Sequence, residues 1–208
     1  MYPEVFDGKK GQFRGAQAQL FVKDGHWDKL KKVGVRPPAK VPYGLQQQYD
    51  EKLDKMLQNM TQVNGQDIFV ASQIVPVCET KNGEKILERL AVNYKSTINE
   101  HLEDIPQLPT VCNDEMDKLK GQYWSVIDMT GAFQQIPLAP GLSRDICAIV
   151  TPRGYYIPND MQFGIKVAPA IWNTNMRQLL HSYNGRGPIK AACVVDDVCH
   201  WEFATGAF

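Results

Sequence analysis

The chain has 208 residues, which is enough for one domain with a sizeable hydrophobic core or for two small domains. Its 23 basic and 23 acidic residues cancel to a formal net charge of zero, which excludes a global electrostatic attraction to nucleic acid. Positions 1–40 hold nine basic but only four acidic residues, so a local phosphate-binding segment and an ordinary solvated surface both remain open.

The cysteines indicate a reducing environment. There are five of them, at positions 78, 112, 147, 193 and 199, and no pair has C-x-x-C spacing, which favours free thiols over a disulfide framework. Zinc binding at Cys193, Cys199 and His200 is disfavoured because a fourth ligand at suitable spacing is missing. Without a signal-peptide pattern or an apolar run of membrane-spanning length, we expect an intracellular, cytoplasmic protein with no membrane partner.

The first half of the chain predicts one helix and one hairpin. Residues 1–44 are rich in Gly, Pro and Lys and are interpreted as an N-terminal extension or linker. Apolar residues at helical spacing predict an amphipathic helix from Leu45 to about Gln62. Strands are predicted at 68–77 and 86–94, joined around Asn82-Gly83, a dipeptide that favours a tight hairpin turn.

The second half alternates strands and helices. Asn113 and Gly121 are the expected ends of a short helix, and a strand ending at Asp128 follows. Further strands are predicted at 145–150 and 155–157, and then a helix from Pro169 to about Tyr183. That helix should turn four apolar side chains inward: Ile171, Met176, Leu179 and Leu180. With a final hairpin around residues 196–197, this order indicates an α+β fold.

Three aspartates in strand-like, apolar surroundings are the most informative residues. Asp128 ends one predicted strand, and Asp196 and Asp197 interrupt another, where Asp is a poor strand former and an unpaired buried charge is costly. Carboxylates on two neighbouring strands suit a pair of divalent cations, which serve phosphoryl or nucleotidyl transfer. The alternative is a solvent-facing hairpin tip, at which aspartates are also common.

Several segments resemble the reverse transcriptase of gypsy-type LTR retrotransposons. The segment 89–99 is similar to the family's R-x-C-x-D-Y-K-x-T-I-N strand, and 126–136 is similar to L-D-L-S-x-A-Y-x-Q-I. The segment 161–172 resembles P-F-G-L-x-x-A-P-A-x-F, and 194–197 stands where the family has Y-x-D-D. Two shorter segments are also similar to the family: 2–8 resembles the stretch that follows the protease in such polyproteins, and 41–43 resembles part of its R-P-V-P-Y segment. Because these motifs recur in order over most of the chain, the resemblance covers nearly all of it, although the tail at 200–208 does not resemble the family's continuation.

The resemblance implies a right-hand polymerase with fingers and palm, in which an antiparallel palm sheet packs on helices and the thumb is missing. The implied divisions are an N-terminal extension at 1–44, fingers at 45–120 and palm at 121–208. The implied activity is RNA-directed DNA synthesis, with an RNA or DNA template-primer and deoxynucleoside triphosphates as substrates. The rest of a Pol polyprotein, with its protease, RNase H and integrase, is the implied partner.

The resemblance also implies the roles of individual residues. Asp128, Asp196 and Asp197 would be the catalytic residues and would bind two Mg²⁺ or Mn²⁺ ions together with the carbonyl of Met129. Arg89 would bind the triphosphate, for which a planar guanidinium is suited, and Lys81 would be a second phosphate contact. Phe133 would exclude a ribose 2′-hydroxyl, and Phe163 and Gly164 would line the sugar and base-pair pocket. Without the family resemblance, Arg89 could be a surface ion-pair residue and Phe133 plain core.

Departures from the family leave a second hypothesis open. Val194 replaces the usual aromatic residue, Asn93 the usual Asp and Gln162 the usual Pro, and the family's primer grip, thumb and RNase H would follow Phe208. We therefore expect weak extension, or none, from this chain alone. The alternative is a truncated or domesticated retroelement relic, folded but inactive, that binds nucleic acid or a protein. A metal-dependent nuclease of another fold would leave the other motifs unexplained.

Overall fold

The computed structural model describes residues 10–106, 123–184, 190–194 and 197–202. Within them the chain forms four α-helices: α1 at Trp27–Val33, α2 at Gln46–Leu57, α3 at Leu142–Asp145 and α4 at Ala168–Asn184. Short 3₁₀ turns lie at Tyr43–Leu45, Gly65–Asp67, Tyr94–Ser96 and Phe133–Gln135. No helix in these ranges is both long and apolar enough to cross a membrane.

The strands of the described ranges form two separate sheets. The strand bounds are β1 Met60–Val63, β2 Ser72–Lys81, β3 Glu84–Val92, β4 Tyr123–Asp128, β5 Ile149–Thr151, β6 Gly154–Pro158, β7 Lys190–Val194 and β8 Asp197–Glu202. The first sheet has the order β1-β6-β5-β2-β3, and in it only the β2–β5 pair is parallel. The second sheet is antiparallel, with the order β4-β8-β7, and α4 packs against its β7 edge. Sheets with helices packed at their sides make the α+β fold that was predicted.

The β2–β3 hairpin turns where the sequence predicts it. Asn82 and Gly83 have φ values of 51° and 83°, and a two-residue hairpin loop with positive φ at both positions is a type I′ turn. The exact strand ends differ from the prediction. β2 begins at Ser72 rather than at residue 68, and β3 ends at Val92 because Tyr94 enters a 3₁₀ turn.

One hydrophobic core includes part of the segment interpreted as an extension or linker. Ala18, Leu20 and Leu30 are at most 2% exposed and belong to the same core cluster as Trp172 of α4. The backbone N–H of Leu20 donates to the Ser143 hydroxyl at 2.9 Å, which fixes the segment to a distant part of the chain. Residues 16–30 are therefore packed structure, while the predicted boundaries at 44 and 120 stay predictions.

Three further predictions need correction. The helix predicted to reach about Gln62 ends at Leu57, and Met60–Val63 form strand β1. Asp145 belongs to helix α3, and the strand expected at 145–150 begins only at Ile149. Helix α4 starts at Ala168 with Pro169 in its first turn, and it buries Ile171 and Met176, but Leu179 is 49% exposed because the inward stripe is narrower than its spacing suggested. The predicted helix from Asn113 to Gly121 lies outside the described residues. Among the described residues, Cys78 and Cys147 are free thiols.

Candidate active site

Strand pairing brings two of the three aspartate positions together. β4 and β8 run antiparallel from the pair Tyr123 and Glu202 to the pair Asp128 and Asp197, so Asp128 and Asp197 are direct partners at one end of the sheet. On its other side Asp197 is paired with Val194 of β7. Asp196 lies between these two strands in sequence and outside the described residues. The backbone therefore juxtaposes residues that are far apart in the chain.

Asp128 lies in a solvated position rather than an apolar one. Its side chain is exposed, and the preceding Val126 and Ile127 are 63% and 54% exposed. The apolar residues that precede Asp128 are therefore not part of a buried strand face. An exposed carboxylate is nevertheless accessible to a hard cation, which prefers oxygen ligands.

The fit to a metal depends on oxygen donors at the end of the β4–β8 pair. Among the side chains that the structure describes, no three His, Cys, Asp or Glu residues come together. Two aspartate positions in direct register nevertheless supply the type of donor that Mg²⁺ and Mn²⁺ require, and the Asp196 position next to them in sequence would add a third. Met129 follows β4 directly and packs its side chain against the core. The residue types at this sheet end therefore fit a divalent cation.

An aromatic pair lies shortly after β4. Phe133 is 8% exposed, and its ring centroid is 5.1 Å from that of Phe163, with the two rings tilted by 56°. Phe163 is 48% exposed, so much of its ring remains open to a ligand. Phe133 is thus largely buried, as expected of a core residue, and it also packs against the exposed ring of Phe163.

The turn that carries Phe163 is held by specific contacts. Gly164 has φ of +90°, and a Cβ added there would lie 3.2 Å from the carbonyl oxygen of Val92. The Gly164 carbonyl accepts a hydrogen bond from the Asn99 Nδ2 at 2.7 Å, and the Asn99 Oδ1 accepts one from the Lys166 N–H at 2.9 Å. Positive φ and close backbone approach together explain why a glycine occupies this position.

A cleft of about 720 Å³ lies beside this turn. Three of the sequence-predicted residues, Arg89, Phe163 and Gly164, line it, and Phe133 contacts it through Phe163. Asp128 and Met129 are not among its lining residues. The other lining residues come from the N-terminal segment, from helix α2 and the residues that follow it, from strands β1 and β3, from the turn at Phe133–Gln135 and from the loop between β6 and α4. They are Lys10, Lys52, Lys55, Met56, Asn59, Met60, Glu88, Leu90, Ala91, Val92, Gln134, Asp160 and Gln162.

The cleft carries unneutralised positive charge. Lys10 forms an ion pair with Asp160, whereas Arg89, Lys52 and Lys55 form no ion pair with any other described residue. Glu88 is the remaining acidic residue of the lining. Cationic side chains that lack an acidic partner attract an anionic ligand, because a focused local field persists even when the net charge is zero.

Lys81 lies elsewhere. It is at the tip of the β2–β3 hairpin, where its ammonium is 2.5 Å from the Glu79 carboxylate, and the hydrogen bond to Glu79 raises the pKa of Lys81. The structure therefore does not bring Lys81 to the cleft, and its phosphate contact stays a prediction.

Sequence reasoning missed two of the residues that line this cleft and one residue that holds the turn beside it. Lys52 and Lys55 belong to the polar side of an amphipathic helix, which by itself indicates a solvated face. Their spacing of three places them on the same side of α2, and that was the available signal. Asn99 was included in a motif without being assigned a role.

Comparison with known proteins identifies relatives for most of the chain. Residues 42–200 match the family model described as reverse transcriptase (RNA-dependent DNA polymerase). The chain is 32% identical over 126 residues to the retrovirus-related Pol polyprotein from transposon 412 of Drosophila melanogaster, which covers 60% of the chain and 10% of that protein. It is 28% identical over 174 residues to the enzymatic polyprotein of Cauliflower mosaic virus (strain NY8153), which covers 82% and 24%. The chain thus spans less than a quarter of the length of these two relatives.

Proposed function

Because the chain belongs to the reverse transcriptase family, we propose that it catalyses RNA-directed DNA synthesis, the transfer of a nucleotide from a deoxynucleoside triphosphate to a primer 3′-hydroxyl. The observation that carries this proposal is the register of β4 and β8, in which Asp128 and Asp197 are direct partners. Residues directly opposite in an antiparallel pair project from the same face of a sheet. Residues at the two positions are thus suited to act as ligands of the same metal site.

Asp128, Asp196 and Asp197 are the proposed catalytic residues, and with the Met129 carbonyl they would hold two Mg²⁺ or Mn²⁺ ions. When bound, such ions lower the pKa of an attacking hydroxyl and neutralise the charge of a triphosphate. The contribution of the chain itself is positional: the strand pairing brings aspartate positions from two distant segments to one sheet end, where the Asp128 side chain is exposed.

The cleft is the proposed binding site for the nucleoside triphosphate. Arg89 offers a guanidinium fork without an acidic partner among the described residues, and a fork of N–H donors matches phosphate oxygens. Phe163, half exposed at the cleft wall, is suited to contact the sugar or base, with Gly164 beside it. Phe133 supports Phe163 and is the proposed gate against a ribose 2′-hydroxyl.

The division of the chain into subdomains and its place in a longer polyprotein belong to the same proposal. We assign residues 45–120 to fingers and 121–208 to palm, and we place the chain in a gypsy-type Pol polyprotein together with its protease, RNase H and integrase. The relatives named Pol polyprotein and enzymatic polyprotein support that context. The substrates are an RNA or DNA template-primer and deoxynucleoside triphosphates.

Single-nucleotide addition tests the proposal. In excess over a 5′-labelled DNA primer annealed to RNA, the full chain is expected to add the templated nucleotide weakly in Mg²⁺ or Mn²⁺, whereas an inactive relic would add none. Asp128→Asn should reduce the rate at least about a hundredfold, since removal of one charge-stabilising group from an active site costs about that much. The matched control is Asp67→Asn, because Asp67 is also exposed but lies in a 3₁₀ turn outside the cleft lining.

Two results would contradict this function. One is the absence of templated addition by the wild-type chain, which would favour the inactive relic. The other is equal addition by the wild type and by Asp128→Asn, which would show that Asp128 is a solvated surface residue.

A further inference from the structure

We infer that Asn99 is a positioning residue for the nucleotide site, because its side-chain amide holds the turn at 163–166 that carries Phe163 and Gly164. This inference rests on the proposed function, which assigns the cleft beside that turn to a deoxynucleoside triphosphate. Asn99 is not among the residues lining the cleft, so its effect on a nucleotide is exerted through the turn.

Both polar groups of the Asn99 amide are used. Its Nδ2 donates to the Gly164 carbonyl at 2.7 Å, and its Oδ1 accepts from the Lys166 N–H at 2.9 Å. Both distances lie within the normal range for hydrogen bonds. A side-chain amide offers a donor and an acceptor side by side, whereas the isosteric carboxylate of Asp, when ionised, can only accept.

Asn99 is itself anchored before it reaches the turn. Its backbone N–H donates to the Tyr94 carbonyl at 3.0 Å, and the Tyr94 side chain is completely buried. Tyr94 belongs to the 3₁₀ turn that follows β3 closely. The amide therefore extends from a rigid part of the core, as precise positioning requires.

The turn is fixed from other directions as well. Gly164 lies close to the Val92 carbonyl of β3, and the Phe163 ring packs on Phe133. Arg89 is on the same strand as Val92, so the position of the turn relative to β3 sets the separation between Phe163 and Arg89. If the Asn99 bonds were lost, that separation would change and the triphosphate and sugar contacts would no longer match one substrate.

Such a loss should weaken substrate binding more than the reaction itself. A displacement of about 1 Å can cost roughly a hundredfold in rate when it affects a reacting group. Here the displaced group contacts the nucleotide, while Asp128 is outside the cleft lining. We therefore expect a rise in the nucleotide concentration for half-maximal addition and a reduced preference for dNTP over rNTP, with a nearly unchanged maximal rate.

Two variants of Asn99 separate its two hydrogen bonds. Asn99→Asp keeps the acceptor for Lys166 but loses the donor to Gly164, and Asn99→Ala loses both. The matched control is Asn175→Ala, because Asn175 is also half-buried and donates to a backbone carbonyl, that of Ile171 at 2.8 Å, within helix α4 and outside the cleft lining.

The first readout needs no activity. Hydrogen exchange followed by NMR should be accelerated at least about tenfold at the Lys166 N–H in Asn99→Ala, and it should remain close to wild type in Asn99→Asp and in Asn175→Ala. Unchanged exchange in Asn99→Ala would overturn the inference whatever the enzyme activity.

The second readout is single-nucleotide addition with dTTP and with UTP. Both Asn99 variants should raise the half-saturating dTTP concentration about ten- to a hundredfold and lower the dTTP preference, with maximal rates within about threefold of wild type. Unchanged half-saturation, or an equal rise in Asn175→Ala, would overturn the inference. Absence of addition by the wild type would instead refute the proposed function, and the exchange measurement would then decide the role of Asn99 in holding the turn.

Discussion

The turn at residues 163–166 makes a sharp prediction for Gly164→Ala. Gly164 has φ of +90°, a conformation that residues with a Cβ rarely adopt, and the new methyl group would lie 3.2 Å from the Val92 carbonyl oxygen. That oxygen belongs to the backbone of β3, which is paired along its length with β2. Neither side of the contact can move freely, so the variant should destabilise the fold.

The magnitude follows from two terms. Backbone strain at positive φ costs on the order of 1–3 kcal/mol for a residue other than glycine. Overpacking by one added methyl group costs about 1–3 kcal/mol where the surroundings are rigid. We therefore expect Gly164→Ala to lower the free energy of unfolding by roughly 2–6 kcal/mol, a large part of the stability of a domain of this size.

Urea unfolding at equilibrium measures this loss of stability. The variant Gly83→Ala separates the backbone strain from the overpacking. Gly83 has φ of +83° in the β2–β3 turn, but a methyl group added there would meet no atom within 4 Å, so this variant should suffer only the backbone strain. The expected loss is about 1–3 kcal/mol smaller than for Gly164→Ala, because the overpacking term is absent. An equal loss in the two variants would refute the close approach of the turn to β3.

Two more predictions concern the core and the cleft. The Tyr94 hydroxyl is buried and donates to the Cys147 carbonyl at 3.1 Å, so Tyr94→Phe should cost about 1–2 kcal/mol in urea unfolding. Burial raises the pKa of Tyr94, so above about pH 10 the tyrosine ionises in the unfolded chain before it ionises in the folded one, and the wild type should lose stability. Tyr94→Phe should lose less stability over the same pH range, and equal losses would contradict this prediction. Arg89→Lys should weaken dNTP binding about tenfold, because a point charge replaces a fork of donors, without changing stability. Lys85→Gln, a change of an exposed residue on the same strand outside the cleft lining, should leave dNTP binding unchanged, and an equal effect would argue against Arg89 as the triphosphate contact.

Local signals in the sequence predicted local structure well. The Asn82-Gly83 turn depends on two adjacent residues that tolerate positive φ, so the hairpin could be located without any tertiary information. The start of α4 was predictable for the same reason, because Pro169 is favoured in the first turn of a helix. The exposure of Leu179 was not predictable, since helical spacing defines a stripe but does not say how far neighbouring elements cover it.

Long-range packing was beyond the pattern of the residues. Leu20 is buried in the core and its backbone bonds to Ser143, and no periodicity in the sequence relates these two positions. The likeness of separate motifs to one family suggested the pairing of Asp128 with Asp197, since hydrophobic periodicity alone does not determine which strands become neighbours. A role for Lys52 and Lys55 in binding an anion was likewise not predictable, because it depends on α2 and β3 lining a common cleft.

Binding of Mn²⁺ to the full chain tests the central claim most directly, because it examines the aspartate site without requiring turnover. Titration followed by electron paramagnetic resonance should detect bound Mn²⁺ in the wild type and in Asp67→Asn. Asp128→Asn should weaken binding at least about tenfold, since a hard cation loses a charged oxygen ligand. Equal Mn²⁺ affinity in the wild type and in Asp128→Asn would contradict the assignment of the paired β4 and β8 ends as the metal-binding active site.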